Sequence, residues 1–340
     1  MSLSPCAKLT TGQVDLSVII VCHNDREFLL PCLEGVFSSR GNITWEVIVV
    51  DGASTDGAAH KVRELYPDVR MIEMEENLGY PRGNNIGMCS ARGEYLLFLN
   101  PDTLIQSYTL QALIAAAQDH PEAGAIGCKI LNPDGTLQPS CWHFETLWQV
   151  IVTSFWLYKI PLWKHISDTG PRHQFDYNKE QKPDIVHGSC LMVRSDLMQE
   201  VGGFDTRCFA YKEEADLCHR LAKLGYRSHY TPATSIIHYG AQSTSNYKTW
   251  FFIQLHKSSI FYFQKHYGKG TAALVGTVMF LATGIRFAAY GLLTLGSFFQ
   301  SQRLSARCQL FLETLGWYVG LVDHGESPPC RAVFKVPARR

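Results

Sequence analysis

Asn100-Pro101-Asp102 closes an uninterrupted apolar run, Tyr95-Leu96-Leu97-Phe98-Leu99. Oxygen donors two residues apart on an extended chain project to the same side. Hard dications such as Mg²⁺ or Mn²⁺ take oxygen ligands. Open α/β sheets receive ligands beyond the carboxyl ends of their strands. The chemistry on offer is therefore a cation at a sheet edge that holds phosphates. The plainer alternative is an Asn-Pro-Asp turn that ends a strand. Asp51 ends a second apolar run, WEVIVVD, several residues ahead of the next helix. An Asp placed there can accept hydrogen bonds from a nucleobase or ribose, whereas Ser54 and Asp56 suit helix capping.

Three carboxylates, Glu213, Glu214 and Asp216, crowd the start of another helix. One reading is a favourable interaction with the helix dipole. The other is a general base, because mutual repulsion and burial raise a carboxylate's pKa toward a useful value. His238 ends a strand-like segment, and its neutral imidazole is a further metal donor or a structural side chain. In the stretch 76–87, Gly79, Gly83 and Gly87 let a helix start approach something bulky. Arg82 there either meets a diphosphate or is solvated.

The elements that must position these groups alternate regularly. The pattern predicts strands over 16–22, 45–51, 69–74, 95–100 and 123–130, and helices over 26–37, 57–66, 80–91 and 104–117. Such alternation with short connections means a mostly parallel sheet flanked by helices. His23-Asn24-Asp25-Arg26 follows the first strand without a glycine, which argues against a dinucleotide-binding crossover. No phosphate-binding G-x-x-x-x-G-K-[ST] run exists either.

Beyond residue 131 the pattern is irregular and aromatic, with Trp142, Trp148, Phe155, Trp156, Tyr158 and Trp163. Residues 146–158 read as an amphipathic helix bordering a membrane or an apolar acceptor, or as core under a long loop. A strand follows over 184–194 and a helix over 213–224. The stretch 271–300 is the most hydrophobic, with Arg286 in its middle. It reads as one span, a re-entrant hairpin, a pair of interfacial helices or a buried pair, with membrane association preferred.

The chain has 340 residues, 46% of them hydrophobic, with 31 basic and 31 acidic side chains. That balance offers no electrostatic case for nucleic acid. The eleven cysteines are scattered and form no C-x-x-C pair, which fits a reducing cytosol better than a disulfide framework. The first fifteen residues lack the long apolar core of a signal peptide. Arg331, Lys335, Arg339 and Arg340 read as a solvated basic tail.

In order and spacing, the motifs resemble the family 2 glycosyltransferases with a GT-A fold, in their rhamnosyltransferase-like branch. The matching residues are VIIVCHN (18–24), VDGASTDG (50–57), ENLGY with GNNIG (76–87) and FLNPD (98–102). Further on they are GSCLMVR (188–194), GGFD (202–205), EEADLCHR (213–220) and HYGAQS (238–243). The resemblance implies a metal-dependent inverting transfer of a sugar, with dTDP-rhamnose as one possible donor. The acceptor is a hydroxyl of a lipid-linked or polysaccharide glycan, and the place the cytoplasmic face of the cell membrane.

By position, Glu214 stands where the family usually has its catalytic Asp, with Glu213 as fallback. Asp102 is the direct ligand of Mg²⁺ or Mn²⁺, and His238 completes that site. His23, Asn24, Asp51, Asn77, Arg82, Asn85 and Asn100 fall to the nucleotide sugar. Gly188, Asp205 and Trp142 fall to the acceptor. Asn100 replaces the first Asp of D-x-D. Glu214 is one methylene longer than Asp, and a displacement of about 1 Å can cost on the order of 10²-fold in rate.

The expected division is a tail over 1–14, a nucleotide-sugar half over 15–130 and an acceptor and catalytic half over 131–245. A helical membrane-associated extension over 246–325 and a basic tail over 326–340 follow. A homo-oligomer is left open. Two other readings are a sugar-phosphate nucleotidyltransferase and a degenerate, non-catalytic transferase serving as a membrane assembly partner. The first of these wants a Gly-rich loop after the first strand, which is missing.

Overall fold

A computed structural model describes residues 13–159, 175–240 and 247–322. Trp163, the end of the HYGAQS motif, the basic tail and nearly all of the N-terminal tail lie outside the described residues. The first half runs β1 (Val14–Cys22), α1 (Arg26–Phe37), β2 (Trp45–Asp51), α2 (Ala58–Leu65), β3 (Arg70–Glu73), α3 (Tyr80–Met88) and β4 (Gly93–Leu99). Then come β5 (Thr103–Ile105), α4 (Thr109–Asp119), β6 (Ala123–Leu131), β7 (Leu137–Gln138), β8 (Cys141–Trp142) and α5 (Leu147–Ser154). The rest is β9 (Ile185–Val186), β10 (Cys190–Arg194), α6 (Ser195–Val201), α7 (Glu213–Lys223), β11 (Arg227–His238), α8 (Lys248–Tyr267), α9 (Lys269–Gly296) and α10 (Gln302–Tyr318).

The main sheet has the order β3-β2-β1-β4-β10-β6-β11-β5, with β7 paired to β6. β1, β2, β3, β4, β6 and β11 run one way, and β10, β5 and β7 run the other. The apolar runs lack alternation because both faces are covered. Ile19, Ile48, Val50, Leu96 and Phe98 pack into one layer, and Val18, Ile20, Val49, Leu97 and Leu99 into the other. Truncating a fully buried side chain such as Phe98 to Ala costs about 3–5 kcal/mol.

Several expectations need correction. The helix expected over 104–117 begins only at Thr109, because Thr103–Ile105 pair antiparallel with the end of β11. That edge strand sets Thr103 opposite His238 and carries Asp102 to it. The strand expected over 184–194 is broken at His187-Gly188-Ser189. Its first part pairs with β8 and its second joins the main sheet. The helix expected over 146–158 stops at Ser154, and Trp156 turns the chain with φ +56°. The glycines of 76–87 do admit something bulky, but it is β1. A Cβ on Gly83 would lie 2.7 Å from Val21, and one on Gly87 would lie 2.6 Å from Ile19.

The stretch 271–300 is neither a hairpin nor a helix pair. Lys269–Gly296 is one continuous helix, packed on α5, α8 and α10. Arg286 does not interrupt it. Its guanidinium donates to the Ser154 carbonyl at 2.6 Å and lies 4.7 Å from the centre of the Trp156 ring.

Candidate active site

A cleft of about 390 Å³ opens beyond the carboxyl ends of β1 and β4, facing the first turn of α7. Among the expected residues it is lined by His23, Asn77, Asn100, Asp102, Gly188, Glu213, Glu214 and His238.

On one side, the His238 Nδ1 lies 2.8 Å from Gln138 Oε1. Gln138 spends its own NH₂ on Asn132 Oδ1 at 3.2 Å, so its carbonyl faces the imidazole. This network assigns the proton to Nδ1 and leaves the Nε2 lone pair pointing into the cleft. Nε2 is 3.3 Å from Asp102 Oδ1 and 3.4 Å from Asn100 Nδ2. His238 and Asp102 are both buried. Two electron-pair donors held face to face, one of them oriented by an outer hydrogen bond, suit a cation between them. The donor set, one carboxylate, one imidazole and a nearby amide, fits Mn²⁺ or Mg²⁺ with the remaining ligands from phosphate oxygens.

On the other side, α7 starts after Tyr211 and Lys212, whose φ angles are +69° and +65°. Left-handed backbone at non-glycine residues costs roughly 1–2 kcal/mol each and clusters at functional sites. It delivers Glu213 and Glu214 to the cleft. Oε2 of each is buried without a hydrogen-bond partner. Burial raises both pKa values, and the Glu214 charge raises Glu213 further. A Cβ on Gly188 would stand 3.6 Å from the Glu214 side chain. The third carboxylate has another role. Burial would raise Asp216, but the His266 hydrogen bond at 2.8 Å, with Arg220 and Lys265, outweighs it and brings the pKa to about 2. Asp216 thus ties α7 to α8.

Glu214 and His187 also border a second groove, of about 340 Å³, lined by Trp142, Glu145, Gln149, Thr153 and Lys212. His187 accepts on Nδ1 from the Ser189 amide at 3.0 Å. Burial, with His238 nearby, lowers its pKa to about 3, so it is neutral and presents Nε2–H. Tyr80 donates to the Gly188 carbonyl at 2.9 Å and fixes that loop. Gln138 and His187 escaped sequence reasoning. Gln138 sits in a two-residue strand, and His187 in the break of an expected strand.

Other expected residues lie outside the cleft lining. Asp51 is buried, and its carboxylate accepts from the Ser54 amide at 3.2 Å, from the Ser54 hydroxyl and from the Cys22 thiol at 3.6 Å. It closes the turn that follows β2. Asn24 accepts from the Thr55 amide at 2.8 Å on the surface. Asn85 clamps the Phe204 backbone, donating to its carbonyl and accepting from its amide, both at 2.8 Å. Asp205 is paired with Arg207 and Lys265. Arg82 lines a neighbouring groove of about 440 Å³, which shares Asn77 and Phe209 with the cleft. Trp142 lies in the second groove, its ring centre 5.5 Å from that of His187. Neither Ser54 nor Asp56 is the N-cap of α2, which is Gly57; Asp56 lies one residue ahead and accepts from the Ala58 amide at 2.9 Å and the Arg26 amide at 2.8 Å.

A sequence model of glycosyl transferase family 2 matches residues 17–202, more than half of the chain. The chain belongs to this family. It is 34% identical over 245 residues to the N-acetylglucosaminyl-diphospho-decaprenol L-rhamnosyltransferase of Mycobacterium tuberculosis, which covers 68% of this chain and 79% of that one. It is 29% identical to the rhamnosyltransferase WbbL of Escherichia coli K12, over 65% of this chain and 82% of that one. A mannosyltransferase of Pyrobaculum calidifontis, solved with GDP-Man and Mn²⁺, has the same fold. It has a TM-score of 0.51 and 19% identity, covering 93% of this chain and 89% of the other. The GT-A expectation and the rhamnosyltransferase-like resemblance both hold. The family 2 chain is a hexosyltransferase, which removes the nucleotidyltransferase reading.

Proposed function

We propose that this family 2 glycosyltransferase transfers L-rhamnose, with inversion, from dTDP-rhamnose to a hydroxyl of a lipid-linked or polysaccharide acceptor in cell-surface glycan synthesis. The observation that carries the reading is the buried Glu214 Oε2, without a hydrogen-bond partner at the border of two cavities, facing Asp102 and His238 across the first. The sugar follows the activity for which the two rhamnosyltransferase relatives are named.

Asn100, Asp102 and His238 would hold Mg²⁺ or Mn²⁺ together with the donor diphosphate. A bound dication neutralises the charge that develops on a leaving diphosphate. Glu214 accepts the proton of the acceptor hydroxyl as that oxygen attacks the anomeric carbon. The bond to the diphosphate oxygen breaks in the same displacement, and its electron pair leaves with dTDP. The raised Glu214 pKa makes the carboxylate a stronger base than an exposed one. His187 and Lys212 place donors beside the acceptor groove. Gln149 and Thr153 of that groove belong to α5, which packs on α9, so the groove opens toward the apolar helices.

Those helices form the membrane-facing part of the reading. α9 is long and apolar enough to cross a bilayer. It is also packed along the domain through α5 and α8, and Arg286 is tied to Ser154 midway. Leu274, Leu281, Ile285, Leu292 and Leu295 share one exposed stripe that ends in Phe298, which is 82% exposed. We place this stripe on the membrane surface at the cytoplasmic face, with α9 lying along it.

The test is transfer by purified protein supplied with dTDP-rhamnose, Mn²⁺ and a polyprenyl-diphosphate-linked sugar. Wild type should form the disaccharide lipid, and Asp102→Ala and Glu214→Gln should not. Hydrolysis or transfer with UDP-hexoses in place of dTDP-rhamnose would overturn the donor assignment. In vesicle flotation, Leu292→Glu with Phe298→Glu should release the protein into the soluble fraction.

A further inference from the structure

His120 at the end of α4, Glu180 in the segment before β9 and His229 near the start of β11 converge at the end of the sheet away from the cleft. One ligand atom from each lies within 4.8 Å of the others. His120 Nε2 is 3.3 Å and His229 Nε2 is 3.9 Å from the same Glu180 oxygen, Oε2. His229 is 97% buried (3% exposed), yet neither of its ring nitrogens has a hydrogen-bond partner. Buried polar groups are ordinarily satisfied, so an imidazole with both nitrogens orphaned calls for a ligand. The two rings stack with centroids 3.8 Å apart, which brings their edges to one side. A groove of about 150 Å³, lined by Glu122, Lys182, Arg227 and His229, gives access from solvent.

We propose that His120, Glu180 and His229 form a binding site for a borderline transition-metal dication of the Zn²⁺ class. Two imidazoles and one carboxylate suit Zn²⁺ rather than Mg²⁺, which prefers oxygen and water. The outer carboxylate that commonly orients a ligating histidine is also in place. Glu122 Oε1 lies 3.6 Å from His120 Nδ1 and is held by Lys182 at 3.0 Å. Water supplies the fourth position.

The site joins three separate pieces of chain: the end of a helix, a sheet strand and the irregular segment 176–184. Gln181 and Tyr230 already exchange backbone hydrogen bonds there, at 3.2 and 2.8 Å. The segment runs on through β9 to His187 and Gly188 of the cleft. A metal here would act as a staple on the approach to the catalytic loop, with no part in the transfer chemistry.

The experiment uses chelator-stripped full-length protein carrying Asp102→Ala, so that the cleft does not compete. Calorimetric titration with Zn²⁺ should give one equivalent, Zn²⁺ should raise the melting temperature by mass action, and Co²⁺ should give a visible ligand-field absorption. Mg²⁺ should do none of these. His229→Gln should weaken Zn²⁺ binding at least 100-fold and abolish the thermal rise. His120→Asn and Glu180→Gln, which leave the buried ring untouched, should do so at least tenfold and keep the protein folded. Unchanged stoichiometry and thermal shift in those last two variants would overturn the proposal, and so would an Asp102→Ala protein, otherwise unaltered, that binds no Zn²⁺.

Discussion

The two ends of β11 carry a histidine facing a carboxylate, and the settings differ. The strand runs about 30 Å between them at roughly 3.3 Å per residue. At the carboxyl end, His238 is tethered through Gln138, and its second nitrogen looks into an open cleft. At the amino end, His229 has no tether and is covered by His120. The first turn of α7 repeats the contrast at shorter range. Glu213 and Glu214 each hold a buried oxygen without a hydrogen-bond partner, whereas Asp216 is bound by Arg220, Lys265 and His266. Residue type alone does not assign a role here; the partners on the second atom do.

The largest expected effects separate the α7 acids. Glu214→Gln should lower kcat for transfer by about 10²–10⁴-fold while leaving the melting temperature at or above wild type. Asp216→Asn should keep kcat for the folded fraction but cost about 3–5 kcal/mol in urea unfolding, since it leaves the largely buried Arg220 guanidinium without its carboxylate. Equal losses of activity and stability in both variants would erase the distinction.

Removing the tether comes next. Gln138→Leu should raise the Mn²⁺ concentration for half-maximal activity by about 10–100-fold, the usual range for an outer-sphere partner. Glu213→Met, on the α7 side of the cleft, should leave the Mn²⁺ requirement unchanged.

The pH dependences should run in opposite senses. Glu213 and Glu214 have folded-state pKa values above their unfolded ones, so the folded protein binds more protons and loses stability as pH rises from the ordinary carboxylate range up through those raised values. Glu213→Gln should therefore raise the melting temperature at pH 7 and not at pH 4. Asp216, depressed to about 2, contributes stability that is present above its unfolded pKa and fades as pH falls toward 2. Transfer itself should fall on acidification through a limb above the ordinary carboxylate range.

The smallest effect belongs to Gly188→Ala. The new methyl would meet the Glu214 side chain at 3.6 Å, an ordinary contact. The KM for acceptor should rise less than tenfold, and the KM for donor should not move.

The sequence showed β1, β2 and β4 clearly, because strands buried on both faces are apolar without a break, and β3 through its place in the alternation. It also showed Asn100, Asp102, Glu213, Glu214, Gly188 and His238, through motif order. β5 was hidden because three residues carry no periodicity, and only its pairing with β11 brings Asp102 to His238. Gln138 and His187 were hidden because their roles arise from side-chain tethers across separate short strands. The site at His120, Glu180 and His229 was hidden for a related reason: His120 and Glu180 are 60 residues apart in the chain and meet only through the sheet. Asp51 and Asn85 carry motif positions, yet their visible bonds go to the protein's own backbone and neighbours.

Calorimetric titration of dTDP, with and without Mn²⁺, probes the cation-and-base arrangement most directly. Wild type and Glu214→Gln should both bind dTDP at least tenfold more tightly with Mn²⁺, and Asp102→Ala should lose that difference. Retained Mn²⁺ dependence in Asp102→Ala, or its loss in Glu214→Gln, would contradict the assignment of the two sides of the cleft.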